Sequence, residues 1–190
     1  MAADAEKGRG GVPWRMVGWS LPVVLLAIPL LARWPWTTFD FIFMGVLFGA
    51  VGLTIEGAVR ASRNLAYRFG AGVAVLTAFL LIWVNGAVGV FGSEDNPANL
   101  MLMGVVALGA VASALARFRA PGMVWAMGAA GAAQLAVVAG VLIAGWQTPG
   151  LGGAREALLA SGFAILWLVA AGLFRRAAED GGKGPVAPRT

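Results

Sequence analysis

The chain contains no cysteine and no histidine, has a single tyrosine, and carries charge on only 12% of its 190 residues. Without thiols or imidazoles it cannot form disulfides, build Cys or His metal sites, ligate haem through His, or run His-based acid–base chemistry. The missing cysteines are compatible with either redox compartment. Charge falls well below the roughly 25% of an ordinary soluble domain, while hydrophobic residues reach 59% against about 45–50%. This is the composition of a membrane protein, and at this length six spans with short loops leave no room for a separate soluble domain.

A spanning helix needs about 20 mostly apolar residues to cross roughly 30 Å of hydrocarbon. Six segments approach that requirement: residues 17–31, 39–59, 70–91, 98–116, 123–146 and 157–174. The first is the shortest and holds Pro22 and Pro29 behind Lys7, Arg9 and Arg15, a pattern shared with signal-peptide cores. It reads better as an uncleaved anchor, because Arg33-Trp-Pro-Trp-Thr-Thr lacks a small-residue cleavage pattern. The two ends, to about Gly11 and from about Glu179, are rich in Gly, Ala, Pro and charge and are expected to be disordered.

The formal charge of +5 would raise the question of nucleic acid in a soluble protein, but here it reads as topology. With the N-terminus inside, one face collects Lys7, Arg9, Arg15, Arg60, Arg63, Arg68, Arg117, Arg119, Arg175, Arg176, Lys183 and Arg189, leaving only Arg33 and Arg155 outside. The bias alternates at every loop, so both termini are expected in the cytoplasm. The basic turn from Arg60 to Arg68 could also meet anionic lipid headgroups, although topology alone accounts for its charge.

Aromatic residues fall where interfacial belts are expected: Trp34, Trp36, Phe91 and Trp146 outside, Trp14, Trp19, Tyr67 and Phe174 inside. Trp83, Trp125 and Trp167 lie deeper, where an indole N–H needs a partner. Small residues recur at four-residue spacing in Gly45/Gly49, Ala110/Ala114, Ala129/Ala133 and Ala132/Ala136/Gly140, a pattern that lets helices approach closely in lipid. Such packing disfavours a wide aqueous pore.

The most informative stretch joins the third and fourth spans: Trp83-Val-Asn-Gly-Ala-Val-Gly-Val-Phe-Gly-Ser-Glu-Asp-Asn-Pro-Ala-Asn-Leu-Met101. Gly92 suits a left-handed helix end, Asn96 an N-cap and Pro97 the first helical position, with Glu94 and Asp95 near the positive end of the helix dipole. The functional alternative is an outward-facing polar mouth, formed by Asn85, Glu94, Asp95, Asn96 and Asn99, for a cation or small polar ligand. The loop alone supplies too few oxygens for Ca²⁺ or Mg²⁺. Asn85 and Gln134 are the two amides at depth, where each must find a partner. They could serve as interhelical bonds or as opposite walls of one small polar cavity. Glu56 is the carboxylate well inside a span, and Arg60 four residues on is placed to pair with it. Thr37-Thr-Phe-Asp40 reads as a capping box. Ser20, Ser113 and Ser161 lack a base nearby in sequence and read as packing residues.

The stretch Trp83-Val-Asn-x-Ala-Val-Gly-x-x-Gly-Ser-Glu-Asp-Asn-Pro-Ala-Asn-Leu-Met, with Ala116-Arg-Phe-Arg, resembles a family of small six-helix bacterial inner-membrane proteins without an assigned activity. The resemblance covers the spans but not the tails. It implies a multi-pass location in the bacterial cytoplasmic membrane and brings no substrate or catalytic residue with it. The expected architecture is an all-α polytopic bundle of six transmembrane helices over residues 16–175, between cytoplasmic tails 1–15 and 176–190. A non-enzymatic accessory or scaffold role is expected, with a small transporter or channel as the alternative. No cofactor, metal or nucleic acid is implied; the expected partners are the bilayer and other membrane proteins or further copies of the chain.

Overall fold

The computed structural model describes residues 14–93 and 95–182, with side chains from residue 18 onward. The secondary structure of the described residues is helical, in the order α1 (Trp14–Leu31), α2 (Thr38–Ala61), α3 (Leu65–Ala87), α4 (Pro97–Leu115), α5 (Ala120–Ala144) and α6 (Leu151–Gly182). Five of these, α2 to α6, are long and apolar enough to cross a membrane. In α1 the described apolar stretch is Gly18–Leu31. Two prolines, Pro22 and Pro29, lie inside this helix, and each removes one backbone donor.

The chain divides within α2 into two compact units, residues 1–54 and 55–190. In the first, α1 and α2 form an antiparallel hairpin: the Trp19 ring lies against Gly52 and Leu26 lies near Gly45. The capping box at the start of α2 forms as expected. Thr37 donates its N–H to Asp40 Oδ2 at 2.7 Å, and the Asp40 N–H returns to Thr37 Oγ1 at 3.3 Å. Trp36 packs edge-on between Trp34 and Phe41.

In the second unit α3 to α6 form an up-down-up-down bundle, the layout that short connections between neighbouring helices favour. Contacts run from α3 to α4, α4 to α5, α5 to α6 and back from α6 to α3. Two apolar clusters fill it, one around Tyr67, Ala130, Trp167 and Phe174, the other around Leu81, Phe91, Leu102, Val141 and Phe163. The inward face of α4 is Ala98, Asn99, Leu102, Val105, Gly109 and Ser113, a run at the helical three-to-four spacing. The inward face of α5 includes Ala126, Ala130, Gln134, Val138 and Val141.

These faces correct two expectations. Ala110, Ala114, Ala129, Ala132, Ala136 and Gly140 are exposed, so the Ala110/Ala114 and Ala132/Ala136/Gly140 ladders point away from the bundle, whereas Ala133 packs against the core and Gly45 lies near Leu26. The close approaches lie instead at Gly109 against Ala130, Gly70 against Leu173 and Gly131 against Leu168. Phe91, Tyr67 and Phe174, expected in the belts, are core residues; of the three tryptophans read as deeper, Trp167 is buried while Trp83 and Trp125 face outward. Trp34 and Trp146 are exposed, as a belt requires.

The last helix also outruns its expected end. At 32 residues and about 1.5 Å per residue it exceeds the bilayer core by several turns. Residues 179–182, expected to begin a disordered tail, are helical. Ala177 is buried against the core, Arg175 Nε pairs with Glu179 Oε1 at 2.9 Å, and Asn64 Nδ2 donates to Asp180 Oδ2 at 3.1 Å.

Candidate functional site

The polar loop between α3 and α4 is organised around Asn99. The α3 helix stops at Ala87, five residues before Gly92, and the left-handed residue nearest its end is Gly89, with φ +71°. A methyl group there would lie 2.8 Å from the Ser93 carbonyl and from Asn99 Nδ2, so both conformation and space call for glycine. Gly92 is also left-handed but belongs to the loop interior. Beyond Gly89 the chain wraps the Asn99 side chain. Asn99 Oδ1 accepts the N–H groups of Val90 and Phe91, each at 3.0 Å, and Nδ2 donates to the carbonyls of Phe91 at 3.2 Å and Ser93 at 2.7 Å. A 3%-exposed side chain thus satisfies four main-chain groups that no helix serves.

Asn96 caps α4 as expected, accepting from the Ala98 N–H at 2.9 Å, with Pro97 in the first turn. Its amide nitrogen reaches across to the Trp146 carbonyl at 2.8 Å and so ties the α3–α4 loop to the α5–α6 turn. A second tie involves residues that sequence reasoning did not single out. The Glu156 carboxylate, in the second turn of α6, accepts from the Thr148 hydroxyl and N–H, and Thr148 lies beside Gly92 of the other loop. The two loops therefore form one hydrogen-bonded cap over this end of the bundle. The signal available for Glu156 was its isolation, as a carboxylate at the start of an apolar segment.

The structure brings Asn85, Asn96 and Asn99 to this cap and commits the amides of all three to main-chain groups. Asn85 Nδ2 donates to the Asn99 carbonyl at 2.9 Å, joining α3 to α4. Gln134 does not join them. It is fully buried and donates Nε2 to the Ala160 carbonyl at 3.2 Å, joining α5 to α6. The two deep amides serve different helix pairs, and each keeps one buried carbonyl oxygen without a hydrogen bond, Asn85 Oδ1 and Gln134 Oε1. Asp95 is exposed. Glu94 lies outside the described residues.

The remaining polar groups are explained locally. Glu56 pairs with Arg60 at 2.6 Å, as the four-residue spacing predicts. Thr77 and Ser113 return their hydroxyls to carbonyls one turn back, at 2.7 Å each. Trp167 is 2% exposed with its indole N–H unpartnered. Among the described residues no group of three or more carboxylates is placed to hold a metal ion.

At the opposite end Tyr67 makes the principal tie between turns. Its hydroxyl donates to the Phe118 carbonyl at 2.6 Å, and its own N–H is capped by Asn64 Oδ1 at 3.1 Å. The α4–α5 turn it holds contains two left-handed residues that are not glycine, Arg117 and Phe118, with φ of 51° and 55°. This conformation costs an ordinary residue roughly 1–2 kcal/mol, and the Phe118 N–H to Ser113 carbonyl bond at 3.1 Å helps to hold it. Compared with known protein families, curated proteins and solved structures, the chain matches none.

Proposed function

We propose that the chain is a non-enzymatic accessory or scaffold protein of the bacterial cytoplasmic membrane, with six spans and both termini inside. Its apolar helices are compatible with an integral membrane protein. The observation that carries the scaffold reading is the use of its buried amides. Asn85, Asn99 and Gln134 are joined to main-chain groups across helices and loops, which is how a polar residue is used when the purpose is a fixed helix arrangement. The outward faces are apolar and suited to lipid or to other membrane proteins.

The sixth span in this reading is α1. Its 18 residues extend about 27 Å, close to the bilayer core, and the alternation of basic loops requires it to cross. The observation favouring the second reading, a small transporter or channel, is the pair of unpartnered oxygens Asn85 Oδ1 and Gln134 Oε1.

Leak measurements separate the two. In proteoliposomes loaded in turn with indicators for protons, K⁺ and Cl⁻, a scaffold leaves the leak rate at that of protein-free vesicles. A leak that appears with the protein and disappears in Asn85→Leu or Gln134→Leu would overturn the scaffold reading in favour of the transporter.

A further inference from the structure

The end of the bundle opposite the Asn99 cap gathers more positive charge than its neighbours neutralise. Tyr67 bonds the α2–α3 and α4–α5 turns together, and Asn64 bonds the first of them to α6 through Asp180. Three basic segments that are far apart in sequence are thereby brought to one place. The described carboxylates near them are already engaged: Glu56 by Arg60, Glu179 by Arg175 and Asp180 by Asn64. Arg63, Arg117, Arg119 and Arg176 are exposed, and among the described residues none of them sits in an ion pair.

The positive-inside pattern accounts for basic residues on this side of the bilayer. It does not require that the turns be bonded to one another, or that one of them adopt a costly left-handed pair. Arg117, Phe118 and Arg119 are all exposed at this turn, so an exposed aromatic residue is flanked in the chain by two exposed arginines. Phe69, beside Arg68 at the start of α3, is exposed as well. Aromatic rings flanked by arginines suit the boundary between acyl chains and headgroups. The N-cap of α5, Arg119, makes no side-chain cap bond, so the positive end of that helix faces the same place.

We propose that this end of α3–α6 binds the headgroup of an anionic phospholipid, with Arg63, Arg117 and Arg119 contacting the phosphate and Phe118 set among the acyl-chain ends. Planar guanidinium donors match phosphate oxygens, and basic residues at the inner leaflet attract anionic lipid. The proposal rests on the membrane-spanning reading above.

The test uses the full chain purified in detergent with equimolar phosphatidylglycerol and phosphatidylcholine, bound lipid being read by native mass spectrometry. The wild type is expected to retain phosphatidylglycerol over phosphatidylcholine by about tenfold, a preference that falls with added salt. Combined substitution R63Q/R117Q/R119Q removes it, while R33Q/R155Q, on the opposite side in the charge pattern, leaves it intact. If the triple variant does not fold, R63Q and R119Q are measured singly, and each is expected to lower the preference severalfold.

Equal retention of both lipids by the wild type overturns the proposal, as does a preference that survives the arginine substitutions or is lost equally in R33Q/R155Q. Displacement of the lipid by millimolar glycerol phosphate would show a site for a free phosphate ester and would also overturn it. A flux in proteoliposomes would remove the scaffold reading without touching this lipid preference, whereas retention of neither lipid would overturn the proposal without touching the membrane reading.

Discussion

Asn99 and Asn85 show how differently two buried asparagines can weigh. Asn99 serves two N–H groups and two carbonyls at once, so Asn99→Ala leaves the Val90 and Phe91 N–H groups buried without partners. The expected loss is about 2–6 kcal/mol, taking roughly 1–3 kcal/mol for each of the two orphaned donors. Asn85 makes one interhelical bond and already carries an unpartnered oxygen. Asn85→Leu removes that oxygen together with the bond and is expected to cost under about 1 kcal/mol. Thermal unfolding of the two variants in the same detergent checks the order. The sequence made both residues conspicuous as amides in or beside an apolar span, and it showed Asn96 as a cap because capping is a local pattern. The role of Asn99 was hidden, since its partners lie six to nine residues back through a loop closed by Gly89. Glu156 was harder still to read. Its partner Thr148 belongs to the α5–α6 turn and lies beside Gly92 of the other loop, and only the folded bundle brings the three together.

Helix positions were legible from length and apolarity, and helix faces were not. The fifth span is rich in Ala and Gly on every side, so its spacing supports several equally good ladders, and of the two read from the sequence Ala132/Ala136/Gly140 points outward while Ala129/Ala133 is only half turned inward. Gln134 marks the true inner face, because a buried amide must be turned toward a partner. The consequence can be tested on two glycines three residues apart. A methyl group at Gly131 would lie 3.0 Å from Leu168 Cδ2 and 3.4 Å from the Ala164 carbonyl, whereas at Gly128 it meets nothing within 4 Å. Gly131→Val is expected to push α5 from α6 and destabilise by about 1–3 kcal/mol. Gly128→Ala is expected to be neutral or to stabilise by up to about 1 kcal/mol. Unfolding in denaturant reads both, and equal effects would show that the α5–α6 contact is misplaced. The ends of α6 were misread for a related reason. A Gly- and charge-rich tail resembles disorder in composition, but Ala177 packs into the core and the Arg175–Glu179 pair continues the helix.

The chain as a whole combines apolar helices, basic turns at one end of the α3–α6 bundle and a hydrogen-bonded polar cap at the other. Composition announced the first and charge alternation the second, whereas the cap depends on contacts between loops that periodicity does not encode. The central claim is a membrane bundle with a closed interior and the cap on the outer side, and the absence of native cysteine makes that directly measurable. Single cysteines are placed at Ser62, Ser93 and Gln134 and exposed in intact cells to a membrane-impermeant maleimide. Labelling is expected at position 93, at 62 only after the membrane is permeabilised, and at 134 only once the protein is denatured. Labelling of position 62 from outside would reverse the orientation, and labelling of position 134 in the folded protein would show a water-filled path where the account requires packed helices.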